Sequence, residues 1–157
     1  LALLVRASLR LHPLPVARTT LVVESARPAE IVARLRRSQL QPSALDVLHP
    51  GRVGILFEGG ERGVAAQVEA ARALVGGVEA GEEVWAESRE RQGRALGRVR
   101  FAPRDLANVL TTLDEAAVRP AAGIAYVPRQ VGGVPSAAAR RVQRAVKAQL
   151  DPAGVLV

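Results

Sequence analysis

The sequence predicts a single α+β domain, and three observations carry that expectation. Stretches of alternating apolar and polar residues are interleaved with stretches of helical period. Gly and Pro fall between these stretches more often than within them. The chain has 157 residues and is 48% hydrophobic, enough to build one core without dividing into several.

Taken in order, Val5, Ala7, Leu9 and Leu11 alternate with Arg6, Ser8 and Arg10, which predicts a strand ended by His12-Pro13-Leu14-Pro15. A second strand is expected over 19–24. A helix is expected over 28–38, because Pro28 can open a helix without losing a hydrogen bond and Ile31, Val32 and Leu35 form its buried stripe. Strands over 44–48 and 53–57 flank His49-Pro50-Gly51-Arg52, which has the composition of a turn and would make the pair antiparallel. Val64, Val68, Ala71 and Val75 mark an amphipathic helix over 61–75, closed by Gly76-Gly77.

The order strand, helix, strand, strand, helix is that of the ferredoxin-like split βαβ unit, in which helices pack on one face of an antiparallel sheet. Beyond it the sequence predicts a short helix over 82–91, a strand around Val99 and Phe101, a helix over 103–114 burying Leu106, Val109, Leu110 and Leu113, and a strand over 123–127. A Gly/Pro loop at 128–135 precedes a final helix capped by Ser136 and carrying Ala139, Val142, Val146 and Leu150. No internal sequence repeat stands out, although the strand–helix alternation allows the second half to be a degenerate copy of the first.

Composition narrows the function. No apolar run approaches the roughly 20 residues that span a bilayer, so no membrane insertion and a cytoplasmic location are expected. The chain starts at Leu1 and has no methionine, the expectation for a fragment or a processed piece of a larger enzyme. It also has no cysteine, which excludes disulfides and thiolate chemistry. The net charge of +7 is almost wholly arginine, since Lys147 is the only lysine. These arginines are dispersed and aromatic residues make up 3% of the chain, so specific nucleic-acid binding is not expected. His12 and His49 each precede a proline and read as turn residues, not as zinc ligands. Glycines at Gly59, Gly60 and Gly63 open a helix in the manner of a phosphate loop, but Glu58 and Glu61 would repel an anion there.

Three stretches carry more. They are Leu9-Arg10-Leu11-His12-Pro13-Leu14-Pro15, then Trp85-Ala86-Glu87-Ser88-Arg89-Glu90, then the segment from Lys147 through Leu150-Asp151-Pro152-Ala153-Gly154 to Val157. In this order and spacing the chain resembles the C-terminal half of FAD-linked oxidases of the vanillyl-alcohol-oxidase type, with its closest match in the FAD-binding subunit of bacterial glycolate oxidase. The resemblance implies that 1–157 is one cap or substrate domain. Residues 1–15 would be the junction with a separate FAD-binding domain, and 136–157 a C-terminal helix and tail. It also implies FAD as cofactor, a small 2-hydroxy acid as substrate, and the other subunits of a glycolate oxidase complex as partners.

Trp85 and Arg89 then stand where the family binds substrate, with Arg89 offering a guanidinium fork to the carboxylate. Asp151 and Pro152 stand where the chain returns toward the flavin. The FAD-binding half is missing from this sequence, so the fragment alone is expected to be inactive, and the absence of the His-x-Gly-Asp-Gly-Asn segment of the catalytic glycolate oxidase subunit implies the companion subunit instead of the main catalytic one. The competing expectation is a noncatalytic ferredoxin-like module that binds a protein partner or RNA through an arginine-rich face. The bland expectations are that Trp85 is core, that Arg89 is a solvated charge, and that Asp151-Pro152 stops a helix.

Overall fold

A computed structural model of the chain describes residues 14–131 together with Arg141, Ala145, Val146 and Gln149. The first expected strand, most of the last helix, and Asp151 and Pro152 lie outside the described residues.

Alternation builds the first unit. In β1 (Ala17–Glu24) Leu21 and Val23 point to one face, with Thr20 and Val22 on the other. Helix α1 (Pro28–Arg37) buries Ile31, Val32 and Leu35 and turns its arginines outward. Strands β2 (Ala44–His49) and β3 (Arg52–Gly59) form the expected antiparallel hairpin. Helix α2 (Glu61–Val75) buries Val64, Val68, Ala71 and Val75 and ends at Gly76, whose φ of +75° suits a residue without Cβ. A three-residue strand, β4 (Val78–Ala80), returns to the edge of β1. The resulting order β4-β1-β3-β2, antiparallel throughout, is the ferredoxin-like arrangement.

The second unit repeats the first. After α3 (Glu83–Gly93) come β5 (Gly97–Arg100), a 3₁₀ turn at Pro103–Asp105, α4 (Leu106–Leu110), β6 (Ala116–Arg119) and β7 (Ile124–Val127). Strand β7 lies between β5 and β6, as β3 lies between β1 and β2. The corresponding strands β2 and β6 pair antiparallel, so one seven-stranded sheet carries two units related by an approximate two-fold axis. The sequence echo is faint: Pro28, Glu30, Ile31 and Leu35 correspond to Pro103, Asp105, Leu106 and Leu110. Proline and an acidic residue thus open both helices.

Besides β4, a strand that the sequence does not predict, three elements depart from expectation. Helix α4 is shorter than 103–114 because the Thr111 and Thr112 hydroxyls donate to the carbonyls of Asn108 and Val109, competing with the helix. Strand β6 gives no alternation because it is buried on both faces, with Ala116, Ala117 and Val118 all inaccessible. The third departure is one of position. Helices α1, α2 and α4 share one face of the sheet, where their apolar stripes merge with Val47, Val53, Ile55, Phe57 and Val118 into the main core. Helix α3 covers the opposite face, where Val84 and Trp85 meet Leu48, Leu56 and Ala117.

No helix among the described residues is long and apolar enough to cross a membrane.

Candidate functional site

The α3 face gathers the buried polar residues Thr20, Asp46 and Ser88. Gly54 in β3 is what lets the helix approach: a Cβ there would lie 3.1 Å from Val84 Cγ2 and 3.5 Å from the far edge of the Trp85 ring. Trp85 is 6% exposed, and its indole Nε1 donates to Thr20 Oγ1 at 2.9 Å, which satisfies the one polar atom the ring takes into the core. One turn on, Ser88 Oγ donates to Asp46 Oδ2 at 2.6 Å, and Gln92 Nε2 donates to Ser88 Oγ at 3.0 Å. Asp46 is only 7% exposed.

Burial pushes the Asp46 carboxyl above its ordinary range, and the Ser88 hydrogen bond and the Arg119 charge offset only part of that rise. The other carboxylate oxygen, Oδ1, has no hydrogen bond among the described residues. Its nearest cation is Arg119 Nε at 3.8 Å, too long for one. Asp46 and Arg119 are cross-strand neighbours by the β2–β6 register, but the ladder ends one pair earlier, at Val47 and Val118. Pro120 has no N–H with which to continue it.

The ladder's end leaves an opening. Residues 44–46 have no strand beside them on the β6 side, and a cavity of about 460 Å³ lies between them, the α1–β2 loop and the β6–β7 turn. Leu35, Leu40, Leu45 and Trp85 give it apolar walls, Asp46 contributes a carboxylate, and Arg36 and Arg119 contribute positive charge.

On the other flank of α3, Arg52 Nη2 donates to both carboxylate oxygens of Glu87, 2.6 Å to Oε1. Arg91 Nη2 donates to Glu87 Oε1 at 2.7 Å, and Arg91 Nη1 donates to the His49 carbonyl at 2.7 Å. Burial acts to raise the Glu87 pKa but is outweighed by the hydrogen bonds and charges of Arg52 and Arg91, which hold the carboxyl below its ordinary range. His49 Nε2 donates to the Leu113 carbonyl at 2.9 Å and fastens the turn that the sequence assigns to it. These contacts tie α3 to the hairpin and to the start of β6.

Of the residues singled out in the sequence, Trp85 lines the cavity and also belongs to the core of the α3 face. Arg89, four residues on, is exposed on the Trp85 flank of the helix. Its neighbour Glu90 pairs with Arg94 instead, and among the described residues Arg89 has no ion pair. The sequence reading missed Asp46, Ser88 and Arg119. One signal was present: an acid on the Leu48 side of a strand that is otherwise apolar, in Ala44-Leu45-Asp46-Val47-Leu48. Among the described residues no group of three or more His, Asp or Glu side chains could hold a metal ion. No protein-family model, no curated protein and no solved structure matches the chain.

Proposed function

We propose that this domain forms the substrate side of the flavin site in an FAD-dependent 2-hydroxy acid oxidase subunit of the glycolate oxidase type, working in the cytoplasm with the other subunits of the complex. The observation that carries the reading is the mounting of Arg89. The helix beneath it is fixed to the sheet by Trp85, Ser88 and the Arg52–Glu87–Arg91 cluster, while the guanidinium itself is exposed and without an ion pair among the described residues. A rigidly based, unengaged fork is suited to holding a carboxylate in one orientation.

The described residues do not fit FAD. Their one glycine-rich helix start, at Gly59-Gly60, is flanked by Glu58 and Glu61, which disfavour a pyrophosphate. FAD would therefore be held by a separate domain, and the role assigned to this chain is to bind and orient substrate.

The test is Arg89→Lys in the assembled oxidase complex, which keeps the charge and removes the fork. The expected result with glycolate and D-lactate is a roughly 10- to 150-fold fall in kcat/KM, about 1.5–3 kcal/mol of transition-state stabilisation, with unchanged folding stability. Unchanged kinetics for both acids would remove Arg89 from the substrate site.

A second reading, a noncatalytic module that binds a protein partner or RNA, has one observation in its favour. Arg98, Arg100 and Arg119 are exposed on the end of the sheet that carries the second unit, with the Arg98 guanidinium 5.3 Å from the centre of the Tyr126 ring. Affinity for RNA that is sequence-selective at physiological salt would favour it; weak binding that falls steeply with salt would not.

A further inference from the structure

The opening at the β2–β6 seam has a chemistry that the oxidase reading does not use. It presents a carboxylate with one oxygen engaged by Ser88 and the other without a hydrogen-bond donor among the described residues. A cation stands 3.8 Å away on a side chain that is 48% exposed. Both side chains line a cavity of about 460 Å³ that also has leucine and tryptophan walls, inside the range of about 300–1,000 Å³ typical of small-molecule sites. A charge as buried as Asp46 is costly to hold unless something pairs with it, and Arg119 does so only from a distance. Oδ1 is not sealed from solvent and is free to accept from a compact donor carrying positive charge. Next to it, Arg119 can swing toward solvent and engage an anion, and Arg36 adds positive charge to the cavity lining.

We propose that the seam cavity binds a small α-amino acid with an apolar side chain. The ammonium donates to Asp46 Oδ1, the carboxylate pairs with Arg119, and the side chain packs against Ala44 and Trp85, which line the cavity on the same face of the sheet as Asp46. A zwitterion answers both the Asp46 and the Arg119 charge at once, which neither a simple amine nor a simple acid does. The site is distinct from Arg89, which does not line the cavity. It also joins the two units of the sheet, because Asp46 belongs to the first and Arg119 to the second, so a bound ligand would brace the seam and raise the melting temperature.

The experiment is calorimetric titration of the intact chain with L-leucine at neutral pH, with a thermal shift as the second readout. Isoamylamine, 4-methylpentanoate and 2-hydroxy-4-methylpentanoate serve as comparison ligands, and Asp46→Asn and Arg119→Gln as comparison proteins. The expected result is saturable binding of leucine, weakened at least about tenfold by removing either charged end of the ligand or by either variant. The amide introduced by Asp46→Asn can still accept from Ser88, and Arg119 is exposed, so both variants retain the fold, which the melting curves verify. Absence of saturation below about 10 mM overturns the proposal, as does undiminished binding to Asp46→Asn. Preference for the hydroxy acid over leucine also overturns it and would place the oxidase substrate in the seam. Loss of leucine binding with normal turnover in Asp46→Asn, or normal leucine binding with lost turnover in Arg89→Lys, separates this site from the oxidase reading.

Discussion

On the face covered by α1, α2 and α4 the sheet meets one continuous apolar core, whereas the buried polar side chains among the described residues, Thr20, Asp46 and Ser88, all lie on the face covered by α3. Both faces belong to the same strands, so the difference arises from alternate residues of one sequence. The first face is built mainly for stability: its helices bring stripes of Val, Leu and Ile, and the ionisable ring that reaches into it among the described residues is that of His49, whose Nε2 is held by the Leu113 carbonyl and whose buried Nδ1 has no hydrogen-bond partner. The second has a small core of Leu48, Leu56, Val84, Trp85 and Ala117 and carries a buried carboxylate whose ionisation costs folding energy. Stability gained on one side offsets that cost on the other, and the contrast locates the residues available for binding.

The comparison is broken most severely by truncating the main core. Phe57 is fully buried between β3 and the helices, and Phe57→Ala should cost about 3–5 kcal/mol in urea denaturation. A loss below about 1 kcal/mol would mean that this face is not the one that holds the fold. On the other face, Gly54→Val would drive γ-methyl groups into Val84 and Trp85, so α3 should lift. The expected cost is about 1–3 kcal/mol, with a red shift in the emission of Trp85, the only tryptophan in the chain. An unshifted spectrum would show that α3 does not depend on that close approach.

Ser88→Ala takes the donor from Asp46 Oδ2 and should destabilise by about 1–2 kcal/mol at neutral pH, with the carboxyl pKa moving further up. Smaller again is Glu87→Gln, about 1 kcal/mol, since its partners are partly exposed. The Glu87 pKa is depressed on folding, so its contribution is present above the unfolded pKa and is lost as pH falls through the folded one. Glu87→Gln should therefore approach wild-type stability in acid, as pH titration of chemical stability would show; a gap that is constant with pH would contradict the assignment.

The sequence disclosed the first unit almost whole because its elements obey a single period each: 61–75 is read correctly to the residue, and the hairpin and α1 within one or two. The duplication was legible only as a strand–helix alternation that allows a degenerate second copy, and its residue correspondence stayed hidden because only four positions of the helix opening survive in both copies and β6 is too small and too buried to alternate. Placement of α3 on the far face was equally invisible, since its mixed surface names no side and Gly54, which admits it, reads locally as a weak strand residue. Of the site, Trp85 was legible as a lone aromatic on a helix. The partnership of Asp46 with Ser88 and Arg119 was not, because it joins three elements across sequence separations of 42 and more.

Stability measured against pH for wild type and Asp46→Asn tests most directly whether the α3 face holds an ionisable group at a cost to folding. The Asp46 pKa is raised on folding, so the stability linked to its proton is fully present below the unfolded pKa and is lost as pH rises through the folded one. The two proteins should therefore differ least in acid, and Asp46→Asn should become the more stable of the two as pH rises to neutrality. An Asp46→Asn protein that is less stable than wild type at neutral pH, with the gap closing in acid, would contradict the account, because it would make the Asp46 carboxylate a stabilising ion-pair partner of Arg119.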